Sequence, residues 1–174
     1  MNETEFKNLF KKSVAHHGGL AISLNSSFYT GLPDLYFLVP GFEAALCEAK
    51  FIKDVSTGKP FMRKIKYSEL QISILDKANK LRHNAALGLI GWKEGKHVVA
   101  ALVPGTQRHI DSVRALAKDT SYRGSFFNVP KMLVDLAEIQ RQERLMNFDI
   151  DAMFGHEDQE GEPVETNDPH NQYT

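Results

Sequence analysis

The chain is poor in the features that would settle its class at a glance. It holds a single cysteine, Cys47, among 174 residues, so no internal disulfide can form and a reducing compartment is expected. Flanked by apolar neighbours, that cysteine reads as a small buried hydrophobe. No stretch approaches the roughly 20 apolar residues that span a bilayer. The opening "MNETEFKNLFKK" has no secretory hydrophobic region. These absences lead to the expectation of a cytoplasmic or nucleoid-associated protein. The seven histidines show no ligand spacing, and the adjacent pair His16 and His17 would diverge on a helix, so no structural zinc is expected. No internal repeat is visible.

Net charge is also small, at −1, but it is unevenly spread. The last twenty residues hold six acids and no Lys or Arg, which leaves residues 1–154 at +5. A mildly basic body is compatible with a polyanionic partner without requiring one. Beyond residue 154 there is too little apolar surface to offset chain entropy, and an acidic disordered tail over 155–174 is expected. Such a tail could dock a protein partner or mimic DNA.

The remaining composition, 42% apolar and 25% charged, is that of a globular domain able to bury a core without disulfides. Phe6, Leu9, Phe10 and Val14 recur at helical spacing and predict a helix over 3–17, ended by Gly18 and Gly19. "LAISLN" (20–25) reads as a short strand, and "DLYFLV" (34–39) and "AALCEAKF" (44–51) as two more about a "PGFE" turn. Residues 52–66 form a polar, basic loop. A helix over 67–82 has Ser68 as N-cap, Gln71 in the capping-box position, and Leu70, Ile74, Ala78 and Leu81 as its apolar stripe. "AALGLIGWK" (85–93) and "HVVAALVP" (97–104) predict a second hairpin, followed by helices over 107–118 and 130–146. The order implies an α/β (α+β mixed) fold, a mixed sheet of about five strands flanked by helices.

The first hairpin contains charges that a buried sheet normally rejects. Strand side chains alternate faces, so Glu48 and Lys50 share one face while Cys47 and Ala49 take the other. With the turn centred near Gly41, residues whose numbers sum to 82 oppose one another, and Asp34 then faces Glu48. Opposed like charges destabilise a strand pair unless something compensates them. A divalent cation would do so, and oxygen-only donors suit Mg²⁺ or Mn²⁺ better than zinc. Spacing alone leaves two readings open: a phosphodiester-hydrolysing metal site, or a turn aspartate beside a solvated E-x-K ion pair.

"PD" at 33–34 followed by "EAK" at 48–50 resembles the PD-(D/E)XK nuclease superfamily. A leading acid on the first helix, "GLPDL" at 31–35 and "SELQ" at 68–71 narrow the resemblance to the VRR-NUC branch, which is related to Holliday-junction resolvases. The resemblance covers residues 3–104. It implies a restriction-endonuclease-like core over 1–104, with 105–154 as a helical extension packed on it. It implies a Mg²⁺-dependent DNA endonuclease, with Mn²⁺ able to substitute, acting on branched or junction DNA in recombination, repair or replication. By the same resemblance, Asp34, Glu48 and the backbone carbonyl of Ala49 bind the metal, Lys50 helps activate or position the nucleophilic water, Gln71 helps hold Lys50 or the water, and Glu3 supplies the first-helix acid. Glu3 also lies nearer the inward face of its helix than Glu5 does. Resolvases of this kind act as homodimers, and the sheet edge or the apolar side of the 130–146 helix could supply the interface. Packing on its own domain explains that helix stripe equally well.

Lys53, Lys59, Arg63, Lys64 and Lys66 crowd the segment after Lys50 against one acid, Asp54. Beside a metal site they form a plausible DNA phosphate clamp, with Phe61 and Met62 able to wedge or stack against bases. The plainer alternative is a solvated loop with Phe61 packed on the core. Two other functions stay open at this stage: a non-catalytic DNA-binding relative, and a regulatory partner of a replication complex. The intact Asp34, Glu48 and Lys50 favour the enzyme.

Overall fold

A computed structural model describes residues 1–24, 31–52, 63–64, 66–107, 109–110, 116–122 and 125–153. Lys53, Lys59, Phe61, Met62 and the acidic tail lie outside the described residues, as do the side chains of Arg63 and Lys64. The elements are α1 (Glu3–His16), β1 (Leu20–Ser23), β2 (Leu35–Leu38), β3 (Ala45–Ile52), β4 (Arg63–Lys64), α2 (Glu69–Leu81), β5 (Ala86–Glu94), β6 (His97–Pro104), β7 (His109–Ile110), β8 (Ala117–Tyr122) and α3 (Val129–Met153). Among the described residues no helix is long and apolar enough to cross a membrane.

Six strands form one mixed sheet in the order β1-β2-β3-β5-β6-β8, flanked by helices, and β4 pairs with β7 in a separate ribbon. Only β3 and β5 run parallel within the main sheet. A parallel pair needs a crossover, and α2 lies in that connection. The β2–β3 turn follows from its sequence. Phe42 N–H donates to Val39 O at 3.0 Å, and Gly41 takes φ 82° after Pro40. Proline second and glycine third is the type II arrangement. Its register is Leu35 to Cys47, Tyr36 to Leu46 and Phe37 to Ala45, so the sum-82 pairing holds.

The alternation of β3 and β5 divides the core into two. Cys47, Ala49, Leu87 and Leu89 face Phe6, Phe10 and Val14 of α1 and Met132 and Leu136 of α3. Ile90, Trp92, Val99, Ala101 and Val103 line the opposite face. Burial pushes the Cys47 thiol well up, with the charges of Glu48 and Asp34 adding to it, so this cysteine is an inert core residue.

The expected mixed sheet of about five strands is formed and has six, because β8 joins β6 along the open edge, pairing Leu102 with Ala117 through His97 with Tyr122. Two expectations are corrected. Of the helix expected over 107–118, the described residues His109–Ile110 and Ala117–Lys118 are in strands, β7 and β8, while residues 108 and 111–115 lie outside the described residues. Here an edge in need of a partner outweighs a helical spacing of apolar residues. On α2 the expected stripe is displaced, since Leu70 is 46% and Leu81 89% exposed while Leu75 is fully buried. The inward line runs through Gln71, Leu75 and Asn79, spaced four apart on one face. Asn79 clamps the start of β5, donating to Ala86 O at 2.9 Å and accepting from Ala86 N at 2.9 Å.

Candidate functional site

Glu48 sits in the middle of β3 with its side chain 1% exposed. Its neighbour across the parallel ladder is Gly88, so no side chain crowds it from β5. Oε1 accepts from Lys50 Nζ at 2.5 Å and from Gln71 Nε2 at 2.6 Å. Oε2 is buried with no hydrogen-bond partner. Burial pushes the Glu48 carboxyl up. Lys50 opposes that shift and the nearby Asp34 charge adds to it. For Lys50, burial works against the charge, but the hydrogen bond and charge of Glu48, reinforced by Glu3 and Asp34, raise its pKa. In this arrangement Lys50 is held protonated and donates to Glu48.

Gln71 holds this arrangement from α2. Its backbone N–H donates to Ser68 Oγ at 3.2 Å, and its Oε1 accepts from Ser68 N–H at 2.9 Å, closing the capping box. The same amide then spends its NH₂ on Glu48. Glutamate would complete the cap as well but would bring an acceptor to a buried carboxylate, so the helix start and the site together select glutamine. Gly31 makes room for this turn. It has φ 86°, and a Cβ there would stand 2.4 Å from Leu70 Cγ.

Asp34 lies just before β2, its backbone fixed by Leu24 N–H donating to Asp34 O at 2.9 Å. Its Oδ2 accepts from Ala49 N–H at 3.0 Å, and its Oδ1 from Lys7 Nζ at 2.7 Å. The N–H and C=O of one extended residue leave on the same side of the strand. The Ala49 carbonyl therefore opens toward the corner that Asp34 occupies. Asp34, Glu48, Ala49, Lys50 and Gln71 are thus brought together. Glu3 reaches the same corner but does not join as a third gathered ligand. Its Oε1 lies 3.8 Å from Lys7 Nζ, and among the described residues no group of three or more His, Cys, Asp or Glu could hold a metal ion. Lys66 is exposed, and Arg63 and Lys64 pair through β4 with Ile110 and His109.

Lys7 was not among the sequence candidates. Its only local signal is the i,i+4 spacing from Glu3; the reach to Asp34, 27 residues on, has none.

No family model matches the chain, and no curated protein matches it. Among solved structures it is similar to Archaeoglobus fulgidus Hjc, a Holliday junction resolvase from an archaeal hyperthermophile, with 15% identity and TM-score 0.45 over 62% of this chain and 87% of that one.

Proposed function

We propose that the chain is a divalent-metal-dependent DNA endonuclease of the PD-(D/E)XK type, related to the VRR-NUC branch, hydrolysing phosphodiester bonds in branched or junction DNA. The observation that carries the reading is the buried Glu48 Oε2 with no hydrogen-bond partner, in a corner shared with Asp34. An unsatisfied buried carboxylate oxygen is costly, and a cation removes the cost. Two carboxylates and the Ala49 carbonyl are hard oxygen donors that fit Mg²⁺, with Mn²⁺ a natural substitute. Such an ion supplies positive charge against a phosphoryl oxygen and acidifies a water.

The chain's own residues do the rest. Lys50, held protonated, lies on the face where a phosphate would approach, and can donate to the attacking water or to charge developing on phosphate oxygens. Gln71 keeps Glu48 in one rotamer. Glu3 acts at one remove, through Lys7. The basic segment holding Lys53, Lys59, Arg63, Lys64 and Lys66 begins three residues after Lys50 and serves as the phosphate clamp. Two symmetric cuts in a junction need two sites, so the acting unit is a homodimer. Leu20, Ile22 and Leu38, exposed on one face of the β1–β2 edge, are one apolar surface available to it, and Val134, Leu145 and Met146, exposed on α3, are another.

The test is cleavage of linear, nicked and four-way-junction DNA with Mg²⁺, Mn²⁺ or EDTA. Metal-dependent cutting, lowered about 10²-fold or more by Asp34→Asn and by Lys50→Met, supports the reading. Binding without cleavage under every metal condition overturns it.

A further inference from the structure

We propose that Lys7 is a built-in cation that occupies Asp34 until a divalent metal displaces it, and that Glu3 is the carboxylate onto which it moves. The inference rests on the nuclease reading and adds a residue that the motif does not contain.

Three observations carry it. Lys7 Nζ lies 2.7 Å from Asp34 Oδ1, and the two side chains are only 20% and 18% exposed, so the pair is a part-buried contact rather than a surface one. The remaining oxygen of Asp34 is already taken by Ala49 N–H, which leaves the Lys7-bound oxygen as the one turned to a ligand. Glu3 Oε1 stands 3.8 Å from the same ammonium, one helical turn back, and is 41% exposed. A second anion is therefore within a side-chain rotation of the first.

The two cations cannot both sit comfortably on that oxygen. Mg²⁺ lies about 2.1 Å from its ligand oxygens, so an ion on Oδ1 would come within about 5 Å of the ammonium, where cation–cation repulsion in a part-buried site is strong. Relief by moving the helix is blocked, because Phe6 is fully buried on Gly91, where a Cβ would meet Phe6 Cζ at 2.4 Å, and Phe10 is also fully buried. The lysine side chain must swing instead, and Glu3 receives it. Without metal, Lys7 keeps Asp34 from confronting Glu48 as a bare charge. With metal, its departure costs affinity.

The experiment is Mn²⁺ binding to the full chain without DNA, followed by titration calorimetry. Lys7→Gln is expected to bind Mn²⁺ about tenfold more tightly than wild type, and Lys7→Arg to bind as wild type does. Glu3→Gln is expected to weaken binding about threefold in the wild-type background, because the displaced lysine loses its anion, and to have no effect in Lys7→Gln. Melting in EDTA checks that each variant folds. Unchanged or weaker binding by Lys7→Gln, while Asp34→Asn abolishes binding, overturns the lysine and leaves the metal site standing. Weakening by Glu3→Gln in the Lys7→Gln background makes Glu3 a direct ligand and overturns the exchange. Absence of Mn²⁺ binding in wild type and every variant overturns both this inference and the nuclease reading.

Discussion

The side-chain nitrogen of Gln71 donates to Glu48 Oε1 at 2.6 Å while the oxygen of the same amide caps α2. Replacing it with glutamate separates the two tasks. Gln71→Glu keeps the cap but sets two carboxylates against each other. It is expected to cost about 2 kcal/mol at neutral pH, and less in acid, where the pair can share a proton. Urea unfolding in EDTA at the two pH values measures this. Wild-type stability at neutral pH would mean that the amide is not the donor.

Burial also sets a pH dependence at Glu48. Its folded pKa is raised, so the folded chain holds the proton more tightly than the unfolded chain does. The stability this gives is complete below the ordinary glutamate range and is lost as pH rises through the raised value. Glu48→Gln has no such loss. In EDTA its melting temperature relative to wild type should climb by a few degrees between acid and neutral pH. A difference that is flat with pH, or that falls, contradicts a raised Glu48.

Gly31 ties the first hairpin to α2. Alanine there meets both a positive φ and the Leu70 side chain. Gly31→Ala is expected to cost about 1–2 kcal/mol and to lower metal affinity as Gln71 is pushed outward. Adding Leu70→Ala should restore only the steric part. If Gly31→Ala melts like wild type, the glycine is not required.

The basic segment should show itself in salt. Neutralising Lys59, Arg63, Lys64 and Lys66 together is expected to weaken DNA binding and reduce the log–log salt slope by up to about 3.5. The measurement is binding anisotropy across a salt series without metal. An unchanged slope assigns the clamp elsewhere.

Much of this was legible where local rules act alone. Pro40 and Gly41 fix a turn, the turn fixes a register, and the register brings Asp34 beside the strand that carries Glu48 and Lys50. Ser68 and Gln71 announce the helix that lies over them. Reading failed where a partner distant in sequence decides. Leu70 and Leu81 look inward on a helical wheel, but the inward positions belong to Gln71 and Asn79, whose amides have buried carboxylate and backbone groups to satisfy. At Ala117 and Lys118 the helical spacing gives way to the free edge of β6, which takes β8 as its partner. Lys7 gave no sign of its bond to Asp34, because a lysine on a wet helix face has the same pattern whatever it touches.

Ser13 donates to Leu9 O at 2.9 Å and accepts from Phe127 N–H at 3.0 Å, both in the buried interior. His17 Nε2 lies 3.0 Å from Phe127 O beside it. The helix bearing Glu3 and Lys7 is therefore latched from behind by residues more than a hundred positions downstream. A fragment ending at residue 104, the expected end of the core, would remove the Phe127 N–H from Ser13 and leave the first helix unlatched. In a deletion series, loss of metal affinity should begin once the cut removes Leu136 and Met132 of α3 from the core and be complete when it passes Phe127, well beyond the last residue of the proposed metal site.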